Sequence, residues 1–208
     1  MTEDSPALVT TIDHSIAVIR FNRPAQRNPL SISTLQDLES TFSELLPRRD
    51  VEGVIFTGTN DVFASGANIR ELAELDSASA MRFSQFGQHV FQAIADSTKV
   101  TIAAVNGFCM GGALDLALAC KIRVASKSAV FSHPGARLGI ITGWGGTQRL
   151  PRIIGRTRAL ELFATARRIS SDEAKQMGLV TTVVDPILEC AIATARALLR
   201  SPGPSRSA

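Results

Sequence analysis

Two loops rich in small residues carry the chemistry that this sequence suggests most directly. One spans residues 63–68 (FASGAN) and the other residues 106–112 (NGFCMGG), and each leads from a predicted strand into a predicted helix. The first N–H groups of a helix have no partner inside it and carry partial positive charge. If two such termini converge, they can stabilise an oxyanion that develops on a carbonyl, and small residues let the substrate approach closely. Glycines at strand–helix turns also serve packing alone, and spacing does not separate the two interpretations.

Strands and helices alternate along the chain without a linker, which predicts one α/β domain. Short apolar or alternating runs predict strands at residues 8–12, 16–21, 51–57, 100–105, 122–125, 129–132 and 179–184. Apolar side chains three and four positions apart predict helices at 31–46, a segment ending near 95, 113–119, 147–154, 157–165, a capping-box segment from Ser170 to Gly178, and 187–199. We divide the chain into a core, residues 1–184, and a C-terminal helix with a Pro/Ser-rich tail, residues 185–208, whose tail is expected to be disordered.

The composition excludes several classes of protein. The chain has 208 residues, 45% of them hydrophobic and 20% charged, which is enough for a folded core. A net charge of +3 is too weak to indicate a nucleic-acid partner. Its three cysteines form neither a disulfide framework nor zinc-ribbon spacing, so no metal is expected. No apolar run reaches about 18 residues and no secretory signal is visible, so we expect a cytoplasmic protein without a membrane span.

Four segments resemble, in order, the motifs of the crotonase (enoyl-CoA hydratase/isomerase) superfamily. They read NRPAQRNPLS, VIFTGTNDVFASGANIREL, IAAVNGFCMGGALDLALACKIRVAS and LGIITGWGGTQRLPRIIG. The resemblance implies an α/β fold, a crotonase-like spiral of ββα units. Family members usually continue further, so we expect a shortened helical C-terminus. It also implies acyl-CoA substrates and a homotrimer or dimer of trimers. Coenzyme A is part of the substrate, and no separate cofactor is expected.

The resemblance transfers the family's binding site to particular residues of this chain. The oxyanion hole falls on the backbone N–H groups of Ala67 and Gly112. The substrate-binding residues become Ala67, Asn68, Ile69, Arg70 and Gly112. The adenine end of coenzyme A falls near Arg27, Asn28, Pro29 and Leu30.

The catalytic acids are where this sequence departs from the family. Hydratases of the family hold one water between two glutamates, one of which removes a proton from the water while the other protonates C2 of the enoyl thioester. The first position is Asp115 here, and the second is Gly135, which cannot transfer a proton. Asp115 is a candidate general acid or base, or a carboxylate that is only salt-bridged or solvated. His133 is a candidate replacement proton shuttle, because its ordinary pKa is near 6.5, or a residue that hydrogen-bonds to a turn.

These residues favour an enoyl-CoA hydratase/isomerase-like enzyme of fatty acid metabolism, with a lyase or isomerase activity. It would act on an acyl-CoA thioester through an enolate held at Ala67 and Gly112, with Asp115 handling the proton. One alternative is a non-catalytic acyl-CoA-binding homologue that keeps the oxyanion hole but has lost the pair of acids. A third interpretation is an acyl-CoA hydrolase or decarboxylase, for which the acid requirements differ.

Overall fold

The computed structural model describes residues 5–200, and the predicted disorder of the tail lies outside this range. The strands are Leu8–Asp13 (β1), Ile16–Phe21 (β2), Pro29–Leu30 (β3), Gly53–Thr57 (β4), Val62–Ala64 (β5), Gly66–Ala67 (β6), Val100–Val105 (β7), Phe108–Met110 (β8), Ile122–Ala125 (β9), Val130–Ser132 (β10), Ile169–Ser170 (β11) and Thr182–Val183 (β12). The α-helices are Ile32–Leu45 (α1), Ile69–Ala73 (α2), Ser77–Asp96 (α3), Gly112–Ala119 (α4), Gly146–Ile154 (α5), Arg156–Thr165 (α6), Ser171–Gln176 (α7) and Ile187–Arg200 (α8). Among these helices none is both long and apolar enough to cross a membrane.

The largest sheet contains six strands in the order β1-β2-β4-β7-β9-β12. β1 and β2 form an antiparallel hairpin. Every other pair of neighbouring strands in this sheet is parallel. The central strands β4 and β7 are almost entirely buried. Because both faces of such a strand are covered, its sequence is uniformly apolar rather than alternating.

The chain enters a second sheet after each central strand of the first. β5, β8 and β10 follow β4, β7 and β9 in sequence, and they pair in the order β11-β10-β8-β5. One or more helices then return the chain to the first sheet. A small third sheet pairs β3 with β6. This repeated path is the spiral of ββα units that the resemblance implies.

Alternate residues of the six-stranded sheet pack on opposite faces. Ile19 of β2 belongs to the main core, which also contains side chains of α1, α3 and α4. Ile16 and Val18 of the same strand belong to a second cluster, which α8 covers through Ala191 and Ala195. Helix α8 is therefore packed on the sheet of the core that precedes it.

Serine side chains cap the starts of two helices. The Ser31 hydroxyl accepts a hydrogen bond from the Thr34 N–H (3.1 Å) at the start of α1. At the start of α7 the Ser170 hydroxyl accepts from the Glu173 N–H (3.2 Å). The Glu173 carboxylate, however, binds the guanidinium of Arg167 (2.6 Å), so the predicted capping box supplies only its first hydrogen bond.

Short strands lie where the sequence predicted only loops. β5 and β6 occupy the first small-residue loop and β8 the second, whereas the predicted strand at residues 179–184 is reduced to β12. Runs of two or three residues carry no measurable hydrophobic period. Their strand character comes from partners distant in sequence, such as β8 for β5 and β3 for β6.

The single tryptophan occupies space that two glycines leave free. Trp144 is 4% exposed, and the rings of Phe83 and Phe91 pack against it edge-on with centroids 5.1 Å and 5.6 Å away. A Cβ on Gly87 of α3 would lie 2.3 Å from the indole ring, and one on Gly112 would lie 2.2 Å from it. Both positions must therefore stay free of a side chain for this ring to pack.

Replacing Gly87 by alanine is expected to destabilise the protein. In an open helix interior this change stabilises by about 1 kcal/mol. Here the added methyl group overlaps Trp144, and overpacking of this kind costs about 1–3 kcal/mol. Urea unfolding followed by Trp144 fluorescence measures the change in the free energy of unfolding.

Gly53→Ala in β4 is the matched control. Gly53 is also buried, but a Cβ there would meet its nearest neighbour at 3.5 Å, an ordinary contact distance. We expect this variant to unfold at or above the wild-type urea midpoint. A Gly87→Ala midpoint as high as that of the control would contradict the packing of Trp144.

Candidate active site

The two small-residue loops meet at Gly66. This residue has a φ of +86°, which favours glycine. A Cβ at the same position would lie 2.5 Å from the carbonyl oxygen of Met110 and 2.9 Å from the amide nitrogen of Gly112. The β6–α2 turn and the β8–α4 turn are therefore in direct backbone contact, with no room for a side chain between them.

Ala67 and Gly112 border one cavity of about 410 Å³. Gly112 is the first residue of α4, so its N–H has no partner inside the helix. The preceding residue, Gly111, has a φ of +54° and donates its N–H to the Ser132 carbonyl (2.8 Å), which holds this turn against β10. The fold thus brings together the two residues predicted to form the oxyanion hole.

The rest of the cavity wall is mainly apolar. Ile69 of α2, which is 62% exposed, lies at the wall beside Ala67. Further apolar side chains come from α2, α3 and the segment before α5, namely Leu72, Leu75, Phe83, Leu138, Ile140 and Ile141. A concave apolar surface with a few polar groups at one end can hold a ligand that has an apolar chain and a polar head.

Asp115 lies one helical turn from Gly112 and is completely buried. Its Oδ2 accepts hydrogen bonds from the Thr142 hydroxyl and from the Trp144 N–H (3.3 Å), whereas its Oδ1 has no hydrogen-bond partner. Burial raises the pKa of Asp115 to about 6, and hydrogen bonds from Thr142, Trp144 and the Gly146 backbone limit the rise. Near neutral pH this carboxyl group can therefore hold or release a proton. Asp115 does not itself border the cavity.

His133 borders the cavity, but both of its ring nitrogens are enclosed and have no hydrogen-bond partner. Its Nε2 lies 3.5 Å from Asp115 Oδ1, too far for an effective hydrogen bond. Burial lowers the pKa of His133 to about 4, so the ring is neutral at neutral pH. The two predicted catalytic side chains are therefore neighbours, in a contact between a carboxyl group and an uncharged ring.

Thr142 is a site residue that the sequence did not indicate. It is half-buried, borders the cavity, and donates its hydroxyl hydrogen bond to Asp115. The two residues are 27 positions apart, and although Thr142 lies in the fourth motif segment, nothing in that segment marks its hydroxyl as a partner of Asp115. Only the folded chain, which brings the segment before α5 against α4, places this hydroxyl at the carboxylate.

Gly135 has neither an acid nor the space for one. It borders the cavity, yet a Cβ there would lie 2.6 Å from the carbonyl oxygen of Ile140. The Ile140 N–H also donates to the Gly135 carbonyl (3.0 Å), which fixes the two backbone segments against each other. A glutamate at this position would require the backbone around Ile140 to move.

The other residues of the predicted substrate loop have different surroundings. Asn68 caps α2, because its Oδ1 accepts a hydrogen bond from the Arg70 N–H (3.1 Å). Arg70 is exposed and Asn68 is half-buried, and neither borders the cavity. Ala67 and Ile69 are the members of this loop that reach the cavity wall.

The predicted adenine region lies outside the cavity wall. Asn28 is buried, and its amide donates to two carbonyl groups of β5 (3.1 Å and 3.2 Å). Pro29 and Leu30 form β3, which pairs with β6 and so supports the turn that carries Ala67. Arg27 is exposed, with its guanidinium 5.2 Å from the centre of the Phe108 ring. Of these four residues, Arg27 offers a cation at the surface.

Among residues 5–200, no group of three or more His, Cys, Asp or Glu side chains is placed to hold a metal ion. Cys109 lies in β8 near the site, but burial raises the pKa of its thiol well above the ordinary value. A protonated, enclosed thiol is a poor nucleophile. The backbone amides and the Asp115–Thr142 pair are better suited than this thiol to chemistry at the cavity.

Comparison with known proteins places this arrangement in a family. The family model for enoyl-CoA hydratase/isomerase matches residues 11–206. The short-chain-enoyl-CoA hydratase of Clostridium acetobutylicum is 41% identical over 172 residues, which cover 82% of this chain and 66% of that protein. The crotonyl-CoA hydratase of Syntrophomonas wolfei is 41% identical over 175 residues, covering 84% of this chain and 67% of the relative. The chain thus spans about two thirds of the length of these relatives.

A solved structure gives the same result at the level of the fold. The enoyl-CoA hydratase from Bacillus anthracis superimposes with a TM-score of 0.90 at 34% identity, covering 94% of this chain and 78% of that one. The spiral of ββα units is therefore the crotonase fold, as predicted. With a family match along nearly its whole length and the two loops in contact over one cavity, this chain belongs to the enoyl-CoA hydratase/isomerase family.

Proposed function

We propose that this protein is an enzyme that acts on an acyl-CoA thioester through an enolate. The thioester oxygen would accept hydrogen bonds from the N–H groups of Ala67 and Gly112, and the acyl chain would lie along the apolar wall. The observation that carries this proposal is the contact of the two turns at Gly66, with Ala67 and Gly112 on one cavity. One such preorganised donor typically contributes about 3–4 kcal/mol to stabilisation of the transition state.

Asp115 is the acid–base group in this proposal. A carboxyl group is most effective when its pKa lies near the working pH, and burial raises the pKa of Asp115 to about 6. It lies in the first turn of α4, the helix that begins with the oxyanion donor Gly112. An enolate formed above this turn would therefore lie near the group that exchanges its proton.

A single carboxyl group favours some reactions of the family over others. Hydration through a water held between two acids lacks its second acid, since Gly135 has no side chain and no space for one. Removal of an α-proton and its return to the same or a neighbouring carbon needs one acid–base group and an oxyanion hole. We therefore propose proton transfer next to the thioester, such as double-bond isomerisation, as the main reaction, with hydration slower.

One observation favours a second candidate, an acyl-CoA-binding protein without turnover. Asp115 is completely buried and does not border the cavity, so in this arrangement it cannot touch a ligand directly. The apolar wall and the two backbone donors would still bind a thioester. The trimeric assembly and the coenzyme A contact near Arg27 stay predictions in either case.

We expect mass spectrometry of an acyl-CoA panel in deuterated water to separate these functions. The panel contains saturated, 2-enoyl, 3-enoyl and 3-hydroxy thioesters. The wild type should shift the double bond of a 3-enoyl thioester and introduce deuterium next to the carbonyl. Asp115→Asn should lower both rates by about 100-fold or more, because acid–base catalysis is lost while the cavity is kept.

Asp37→Asn is the control, because Asp37 is exposed on α1 and does not border the cavity. This variant should retain wild-type rates. A wild type that leaves the whole panel unchanged, but is thermally stabilised by the same thioesters, would replace the proposed function with the binding protein. Release of free acid would indicate a hydrolase.

The raised pKa of Asp115 predicts a pH-dependent stability cost. The pKa is about 6 in the folded protein, against an ordinary value of 3.8, so the folded state binds this proton more tightly. Proton binding by Asp115 stabilises the folded protein fully below the ordinary pKa of 3.8. This stabilisation is lost as the pH rises through about 6. Between about pH 4 and pH 7, we expect the free energy of unfolding of Asp115→Asn to rise by on the order of 2–3 kcal/mol relative to that of wild type.

Urea unfolding of both proteins across this pH range measures the difference. His133, whose lowered pKa has the opposite effect, is present in both proteins and largely cancels from the comparison. Asp37→Asn removes one exposed carboxylate and so controls for the change in net charge. A constant difference for Asp115→Asn would mean that its carboxyl group keeps an ordinary pKa in the fold.

A further inference from the structure

The carboxyl group that the proposed function needs is closed off from the cavity. Asp115 is 0% exposed, its Oδ1 is enclosed without a partner, and it does not border the cavity. A Cβ on Gly146 would lie 2.1 Å from Oδ1, so α5 packs directly on the carboxylate. A proton can therefore reach Asp115 from a ligand only through another group.

Two donors contact Asp115 Oδ2, and only one of them can relay a proton. The backbone N–H group of Trp144 donates but has no lone pair with which to accept a proton in return. The Thr142 hydroxyl donates to Oδ2 and also has lone pairs that accept. Thr142 is half-buried and borders the cavity, so this one residue contacts both the carboxylate and the ligand space.

His133 is the other neighbour that could connect Asp115 to the cavity, and its geometry is poor for that role. The distance from Nε2 to Asp115 Oδ1 is 3.5 Å, and neither ring nitrogen is accessible or hydrogen-bonded. A ligand in the cavity could therefore contact the imidazole ring but could not reach its nitrogen atoms.

We propose that the Thr142 hydroxyl is the proton relay between the substrate and Asp115. The inference rests on the proposed enolate function and names a residue that acts in it. In the forward step the α-C–H bond breaks and its proton bonds to Thr142 Oγ1, while the Thr142 O–H proton moves to Asp115 Oδ2. The electron pair of the C–H bond becomes the enolate, held at Ala67 and Gly112. The reverse steps return a proton to carbon.

Solvent can exchange the relayed proton. Thr142 also borders a wide, open groove between α3 and α5, where Gln88, Gln92 and Arg149 lie. Deuterium from the solvent can therefore replace the hydroxyl proton between two steps.

Three titratable or charged groups lie around Asp115. They are His133, whose pKa is lowered by burial, the Cys109 thiol, whose pKa is raised by burial, and the Arg149 cation.

The test compares Thr142→Val with Thr142→Ser. Valine keeps the shape of the side chain without the hydroxyl, and serine keeps the hydroxyl. The measurement is the rate of deuterium incorporation next to the carbonyl of butanoyl-CoA as a function of pH, together with the Kd of butanoyl-CoA. Thermal unfolding of each variant confirms folding.

We expect Thr142→Val to lower the plateau rate at high pH by about 100-fold with little change in Kd, and Thr142→Ser to stay within about tenfold of wild type. Loss of the hydrogen bond also raises the pKa of Asp115, which moves the midpoint of the profile to higher pH in the valine variant. A purely structural hydroxyl would produce this shift and leave the plateau unchanged.

The outcomes separate the relay from the function on which it rests. A wild-type plateau in folded Thr142→Val, with or without a shifted midpoint, overturns the relay and leaves the enolate function standing. Equal loss in both Thr142 variants also overturns it, because the serine hydroxyl should restore transfer. A wild type that exchanges no α-proton of either butanoyl-CoA or the 3-enoyl thioester overturns the proposed function, and the relay with it.

Discussion

The contact between two backbones at Gly66 is the constraint on which the site depends. It brings the turn before α2 against the turn before α4, so that Ala67 and Gly112 share a cavity. Strand pairing supports the contact from both sides, since β6 pairs with β3 and β8 lies between β5 and β10. Two turns of the ββα spiral thus deliver their strand–helix junctions to the same place.

Burial of the Asp115 carboxyl group beneath this contact lowers the stability of the fold. A carboxyl group enclosed by α4, α5 and the segment before α5 loses its hydration, and two hydrogen bonds to one of its oxygens compensate only in part. Such a group is held there by its surroundings rather than by its own contribution to folding. Buried carboxyl groups with raised pKa values are typical of sites that transfer protons. The neutral ring of His133 adds no charge that would offset the burial.

The sequence predicted the long elements and the identity of the loops better than the contacts between them. Helix α1, strand β7 and helix α8 have clear periods or uniform apolar runs, and each lies within a few residues of its predicted position. Strands β5, β6 and β8 were missed because their pairing partners, and not their own residues, determine them. The motif resemblance located Asp115 and Gly135, but the burial of Asp115 and the hydroxyl of Thr142 beside it depend on packing across 27 positions.

At Gly135, the position predicted for a second acid, the backbone as well as the residue type leaves no room for a side chain. The carbonyl of Ile140 occupies the space where a side chain on Gly135 would begin. The Ile140 N–H donates to the Gly135 carbonyl and holds the two backbone segments together. That segment continues directly to Thr142, which contacts Asp115. The path that excludes an acid at Gly135 is thus the path that delivers a hydroxyl to Asp115. If the proposed function holds, such a site would offer one proton-transfer route, on one side of the thioester, and would suit reactions that remove and return a proton on the same face.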